Sequence, residues 1–355
     1  MQMFSLAAAG LAVLGVAAMA PRFASADDKD RISGPHVHES LAVYFIHGKS
    51  APGPVPLTLQ EALEKGSVRV VETGEVNELK IENTGNDDIF IQSGDIVKGG
   101  RQDRVLSMSF VLPPKSGEVS LAAFCVEHGR WSSRGTESAS AFASANEVMP
   151  SREAKLAMRA PKAVSGSLPE TAAPAPADVP GMLVYSRQQE VWASVASVQD
   201  RLSEQLSANV ASPASATSLQ LSLENDKLKE ARAGYVKELE KLGEEKDDII
   251  GYVFAVNGSV NSADVYPSNA LFRKMWPKLL AASVTEAIGS NAAKPAPAPA
   301  AASINEFLTS AEQGSSREES INDVSRQEVR DAKAAVFFEA KRNDGAWVHR
   351  NYLAK

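Results

Sequence analysis

The chain has 355 residues, of which 44% are apolar and 23% charged, with a net charge of −7 and one cysteine, Cys125. This composition excludes a multi-span membrane protein, a wholly disordered chain and a disulfide scaffold. The acidic balance gives nucleic-acid binding no electrostatic support, so no nucleic-acid partner is expected.

Residues 5–20 (SLAAAGLAVLGVAAMA) carry no charge and are cut short by Pro21 and Arg22, below the roughly 20 apolar residues a spanning helix needs. Ala24-Ser25-Ala26 follows as a small-x-small cleavage site, the layout of a signal peptide. The expectation is a signal peptide over 1–26, cleavage near Ala26, export to the periplasm or the exterior, and no transmembrane span in the mature chain. Residues 27–40 read as a flexible N-terminal arm.

From Leu41 to Trp131 the pattern is one of short strands. LAVYFI (41–46), VRVVE (68–72), ELKIEN (78–83), DIFIQ (88–92), RVLSMSFVL (104–112) and EVSLAAFCVE (118–127) are separated by Gly and Asn turn chemistry. LTLQEALEKG (57–66) reads as a short helix closed by Gly66. Residues 132–150, rich in Ser, Ala and Gly, and 161–181, with five prolines, read as loop and linker. RQQEVWASVASVQDRL (187–202) places Val191, Trp192, Val195, Val198 and Leu202 on one helical face, and LENDKLKEARAGYVKELEKLG (223–243) does so with Leu228, Ala231, Tyr235, Leu239 and Leu242. Residues 249–266 form a hairpin about Asn257-Gly258. Ser268 then caps a helix that contains Pro277. AAKPAPAPAAA (292–302) reads as an extended, poorly ordered spacer, and the C-terminal stretch turns at Asn343-Asp344-Gly345. The expected fold is α+β: a mainly antiparallel β-sheet or sandwich core with several amphipathic helices and Pro/Ala-rich insertions. It forms one interrupted domain over 41–355: β-rich 41–131, loop or linker 132–186, helical 187–243, hairpin plus helix 249–288, spacer 292–302, and a C-terminal helix and hairpin over 303–355.

The densest polar cluster is Gly94-Asp95 with Lys98-Gly99-Gly100-Arg101-Gln102-Asp103-Arg104. Paired glycines let a backbone form an anion-binding nest. If the residues after Gly100 are extended, Arg101 and Asp103 face one way and Gln102 and Arg104 the other. Guanidinium groups read carboxylate or phosphate bidentately; the alternative is a bulged edge strand whose arginines are tied to local acids. The second cluster, Cys125-Val126-Glu127-His128-Gly129-Arg130-Trp131, supplies a carboxylate that could act as a general base, or a structural Glu127–Arg130 pair with Trp131 as core packing. Cys125 sits in an apolar run and reads as a buried small hydrophobe. His36, His38, His47 and His128 match no metal-ligand spacing, so neither a metal nor a cofactor is expected.

The stretch 76–131 is similar to the ARG and rhodanese-phosphatase-superfamily-associated protein domain family. The matching pieces are Asn83, Gly94-Asp95, Gly99 to Arg104, and Cys125-Val126-Glu127 with Gly129-Arg130-Trp131. Val191-Trp192, Gly251, Asn257-Gly258, Ala263-Asp264-Val265, the 272–280 helix with Trp276, and Val348-His349-Arg350 extend the resemblance through most of the chain. His128 departs from the family pattern, which carries Gln there. The resemblance implies an interrupted single domain and no demonstrated reaction.

The resulting expectation is an exported, non-enzymatic binding or accessory module. Arg101, Gln102, Asp103, Arg104, Glu127, Arg130 and Trp131 would line a polar groove for a small anionic or carbohydrate-like ligand, or for an envelope protein partner. The alternative is a hydrolase or transferase with Glu127 or Asp103 as general base and Arg101, Arg104 and Arg130 stabilising anionic charge. A third reading is a structural envelope protein whose spacers reach a partner.

Overall fold

The computed structural model describes residues 31–159, 179–290 and 296–355. The expected signal peptide, residues 160–178 of the expected loop or linker and 292–295 of the spacer lie outside the described residues; the described part of that linker holds the helix Arg152–Arg159 and the start of the helix Val179–Gln205. The fold is α+β with mostly antiparallel sheets, as expected.

An eight-stranded antiparallel sheet has the order Arg31–His38, Leu41–His47, Ile249–Val256, Ser259–Val265, Trp347–Ala354, Ala335–Arg342, Ser325–Asp331 and Ser315–Asn322. Its second strand is apolar at consecutive positions because both faces are covered. Leu41, Val43 and Phe45 pack under the helix Asn269–Ile288, while Ala42, Tyr44 and Ile46 pack with Ile304 and Ala311 of the helix Ala301–Glu312. Alternation along a strand, with a helix on each side, turns period two into a continuous apolar run.

A six-stranded sheet has the order Phe142–Val148, Asp95–Gly99, Arg104–Leu106, Gly117–Cys125, Glu78–Asn83 and Val68–Glu72. Its Val97, Leu106, Val119 and Leu121 enter one core, and Ile96, Val105 and Phe124 the opposite one, where Val191, Val195, Val198 and Leu202 of the helix Val179–Gln205 cover them. The third sheet, of three short strands, links the cores. Ile89, Ile91, Phe110 and Leu112 face the six-stranded sheet, whereas Phe90 and Val111 face Trp276 and the eight-stranded sheet.

Several sequence expectations are corrected. Residues 31–38 are not a flexible arm but the edge strand beside Leu41–His47, with His38 opposite Leu41. The run 104–112 is two strands in different sheets. The Ser/Ala-rich stretch 132–150 contains the strand Phe142–Val148, whose Phe142 and Val148 are buried. The expected helix over 223–243 begins instead at the Asn225 cap, and its last turn is a 3-10 segment at Glu240–Glu244. Of the Pro/Ala spacer, 296–300 is docked: Tyr44 donates to the Pro299 carbonyl. Residues 301 and 302 already belong to a helix. Within the expected C-terminal helix and hairpin lie two further strands, Ser315–Asn322 and Ser325–Asp331, whose charged sequences lack apolar alternation. Cross-strand ion pairs hold them. Glu328 accepts from Lys341 Nζ at 2.8 Å, and that bond, aided by Arg330 and Ser316 against the opposing effect of burial, holds its carboxyl down at about 2.

The Asn257-Gly258 hairpin formed as read, with both residues at positive φ (49° and 77°). A Cβ on Gly258 would lie 2.9 Å from Ala296 Cβ and 2.9 Å from the Pro297 carbonyl. Gly258→Ala is therefore expected to cost about 1–3 kcal/mol through strain and displacement of the docked segment, lowering the urea midpoint at constant m. Gly345→Ala, also at positive φ but with only the Arg326 guanidinium near, at 4.0 Å, is expected to lose less. Equal losses would contradict the docking argument.

Candidate functional site

The loop 100–103 joins Asp95–Gly99 to Arg104–Leu106, with Val97 opposite Arg104. Gly99 and Gly100 are at positive φ (119° and 56°), and a Cβ on Gly100 would lie 2.3 Å from the Phe142 ring. No larger residue fits between the loop and that ring. The glycine pair does make an anion site, but its anion is internal: Gly99 N–H donates to Asp103 Oδ1 at 3.0 Å. The loop is not extended, so the expected alternation of side chains fails. The Arg101 and Arg104 guanidiniums both lie over the Trp131 ring, at 5.4 and 5.6 Å.

Beneath Trp131 the candidate charges close on one another. Asp103, fully buried, accepts from Arg134 Nη1 and Nη2 at 3.0 and 3.2 Å and from Ser218 Oγ at 2.8 Å. Glu127, also fully buried, accepts from Arg130 Nε at 2.7 Å, from Ser215, and from the Asp103 backbone N–H at 3.2 Å. Glu72 accepts from Arg104 Nη2 at 3.4 Å and from the backbone N–H groups of Gly74 and Arg101 at 3.1 and 3.2 Å. Burial works to raise the Glu127 carboxyl, but the bonds from Arg130, Ser215 and Asp103 outweigh it and hold it below its ordinary 4.5. The arrangement is a closed network of ion pairs, which Arg134 extends to Glu137 at 2.9 Å, and not a set of free acids.

Structure thus brings Asp103, Arg104, Glu127 and Arg130 together as the sequence suggested, and adds Glu72, Arg134, Ser215 and Ser218, which the sequence did not single out. Trp131 is 44% exposed, which corrects the reading of it as core packing. Gln102 is buried, and with Trp131, Trp192, His128, Arg130 and Val76 it lines a mostly apolar cleft of about 270 Å³. Trp192 donates its indole N–H to the Glu127 carbonyl at 3.1 Å, and His128 stands edge-on to it at 4.6 Å. Arg101 has no carboxylate partner among the described residues.

Cys125 is fully buried, with its backbone bonded both ways to the Gln188 amide at 2.9 Å. Burial pushes its thiol up to about 11, and the Arg104 charge opposes this only in part. The histidines do not meet as a ligand set. His36 packs on Phe45, His38 on Tyr235, and His47 bonds Asp248 at 2.8 Å. Among the described residues no group of three or more His, Cys, Asp or Glu could hold a metal, and no helix is long and apolar enough to cross a membrane.

Two of the resembling positions, Asp264 and His349, meet elsewhere, between the sheets. His349 Nδ1 lies 3.0 Å from Ser109 Oγ, and its Nε2 lies 3.1 Å from Asp264 Oδ1. These residues are only 2%, 2% and 4% exposed for Ser109, His349 and Asp264.

Residues 29–353 match the family model described as the ARG and Rhodanese-Phosphatase-superfamily-associated Protein domain. No curated protein and no solved structure matches the chain.

Removing one partner of a buried pair strands the other charge, so Glu127→Ala is expected to cost about 3–5 kcal/mol in urea unfolding. Because the folded Glu127 carboxyl is held down, its contribution is present above its ordinary 4.5 and is lost as the pH falls through the folded value. Glu127→Gln should flatten the acid limb of stability against pH; an unchanged slope would show that this carboxyl is not held by the network. Cys125, in turn, should resist a thiol reagent at pH 8 in the native state and react only at the rate of unfolding. Prompt stoichiometric labelling of folded protein would contradict its burial.

Proposed function

The chain belongs to the ARG and rhodanese-phosphatase-superfamily-associated protein domain family, and we propose that this member is an exported, non-enzymatic binding module. Its ligand sits in the cleft between Trp131 and Trp192. The observation that carries this reading is the saturation of Asp103 and Glu127. Each is fully buried, and each accepts from at least one arginine and one serine. A general base needs a lone pair within reach of a substrate proton, and these carboxylates have theirs committed. The hydrolase or transferase alternative loses its named bases for that reason.

What remains outside the network suits recognition. Two indoles and an imidazole offer faces on which a sugar ring or another flat group can stack, and Arg101 offers one unpaired positive charge above Trp131. A carbohydrate-like ligand with a single anionic group fits that combination better than a polyanion, because Arg104, Arg130 and Arg134 are already neutralised. Export is supported by the uncharged 5–20 run and the Ala24-Ser25-Ala26 site.

The test is a thermal-shift series with glucuronate, glucose 6-phosphate, glucose and ADP-ribose, since a ligand of the native state raises its melting point by mass action. A charged sugar is expected to shift the wild type. Arg101→Ala and Trp131→Ala should each weaken binding about tenfold, the loss of roughly one cation–π or stacking contact. A shift that survives both substitutions, or none across the series, overturns the cleft as the site. Turnover of a glycoside or phosphoester that vanishes in Glu127→Gln would replace the binding reading with the enzymatic one.

A further inference from the structure

A second cleft, of about 310 Å³, is lined by Arg152, Glu153, Arg201, Asn257, Asn261 and Glu286 among others. Three helices and the Asn257-Gly258 turn converge there. Its lining shares no residue with the Trp131–Trp192 cleft. The electrostatics also differ from those at Asp103, because here Glu286 and Arg201 face the cleft without an ion-pair partner among the described residues. Glu286 accepts one long bond, from Asn261 Nδ2 at 3.4 Å, and has no ion-pair partner among the described residues. Among the described residues Arg201 bonds only the Ser197 hydroxyl, at 3.2 Å. Arg152 pairs with Glu153 at 3.3 Å, yet its Nε is buried without a partner. Asn257 gives its Nδ2 to Ser290 at 2.9 Å, while its Oδ1 is likewise buried and unpartnered. Burial pushes the Glu286 carboxyl up, Glu153 adds to this, and the charges of Lys155 and Arg201 oppose it from beyond contact distance.

Glu286 and Arg201, of opposite charge and each holding a single bond to a neutral group among the described residues, line the same cleft and leave it with both an acidic and a basic group to satisfy. We propose that this cleft binds a small zwitterion of amino-acid or dipeptide size, its carboxylate held by Arg201 and Arg152 and its ammonium by Glu286. A simple anion would meet Glu153 and Glu286; a simple cation would meet two guanidiniums. A dipolar molecule satisfies both signs at once, and the volume lies at the small end of ligand sites.

Isothermal titration of the full chain with alanine, alanylalanine, N-acetyl-alanylalanine and alanylalanine amide separates the cases. A zwitterion is expected to bind, with each singly blocked dipeptide at least about tenfold weaker than alanylalanine, the loss of one charge-assisted contact. Glu286→Gln and Arg201→Gln should each lose about tenfold in affinity with unchanged melting temperature, and Trp131→Ala should bind as the wild type does. The Arg201 variant removes a surface side chain from a long helix and keeps the test open if Glu286→Gln unfolds. No binding of alanine or alanylalanine up to about 10 mM, blocked forms binding equally well, or a folded variant with wild-type affinity would each overturn the proposal.

Discussion

A carboxylate without exposed surface must be given donors or lose its charge, and around Asp103 that requirement organises four separate stretches of chain. Its oxygens take the Gly99 N–H, the Ser218 hydroxyl and both terminal nitrogens of Arg134, while its own N–H goes to Glu127. Reaching Gly99 from Asp103 forces the chain to double back within the loop, which is why Gly99 and Gly100 hold positive φ. Glu127, pinned at the end of Gly117–Cys125, then needs Arg130 and Ser215. The Val126 N–H closes the circuit on the Asp103 carbonyl at 3.0 Å. None of these charges is affordable alone, and the network is favourable only complete. Arg104 shows the limit: its Nη1 and Nη2 are bonded, but its Nε remains buried without a partner.

The placement of that network follows from the layers beneath it. The small sheet of Leu57–Thr58, Ile89–Ile91 and Phe110–Leu112 presents alternate residues to two cores, so the larger sheets are packed through shared strands rather than through a linker. Along Asp95–Gly99 and Arg104–Leu106 nearly every side chain is buried, on both faces, so the polar groups of the network gather where these strands end. The loop after Gly99 and the segment after Cys125 are such ends, and Val97 opposite Arg104 and Arg104 opposite Cys125 set them side by side. The site is a consequence of register as much as of residue type.

Local sequence made the strands and the capped helices legible where one face or one turn decides the matter. Asn257-Gly258, Ser268 and the apolar face with Val191, Val195 and Leu202 are of this kind. The two halves of the charge cluster were also legible, because Gly-Gly-Arg-Gln-Asp-Arg and Glu-His-Gly-Arg-Trp are each dense in chemistry. Their fusion into one network was not. Arg134 lies in a Ser- and Gly-rich stretch whose composition reads as loop, and Ser215 and Ser218 sit in a turn-rich segment with no periodicity; all three are drawn in by long-range contacts with Asp103 and Glu127. The edge strand Arg31–His38 and the charged strands near 320 escaped for a related reason. Pairing with a neighbour, through backbone bonds and through ion pairs such as that of Glu328 with Lys341, holds them, and apolar side chains buried from them are few.

Ser109, His349 and Asp264 show why residue types alone do not define chemistry. They are the types of a hydrolytic triad, and His349 lies 3.0 Å from Ser109 and 3.1 Å from Asp264. Yet Ser109 Oγ already accepts the Ser93 N–H at 2.9 Å, and Asp264 is bound by Asn351 Nδ2 at 2.9 Å. Arg159 reaches the same Asn351 through its Oδ1 at 2.7 Å, so the chain of bonds continues into the core. All three are almost fully buried, and their contacts tie the strand Trp347–Ala354 to Ser109 and to its neighbour strand at Asp264. A group does chemistry or recognition only where its bonding is incomplete and a molecule can reach it. By that criterion the closed network at Asp103 holds the fold together, whereas Arg101 and Glu286, without ion-pair partners among the described residues, still have bonds to offer.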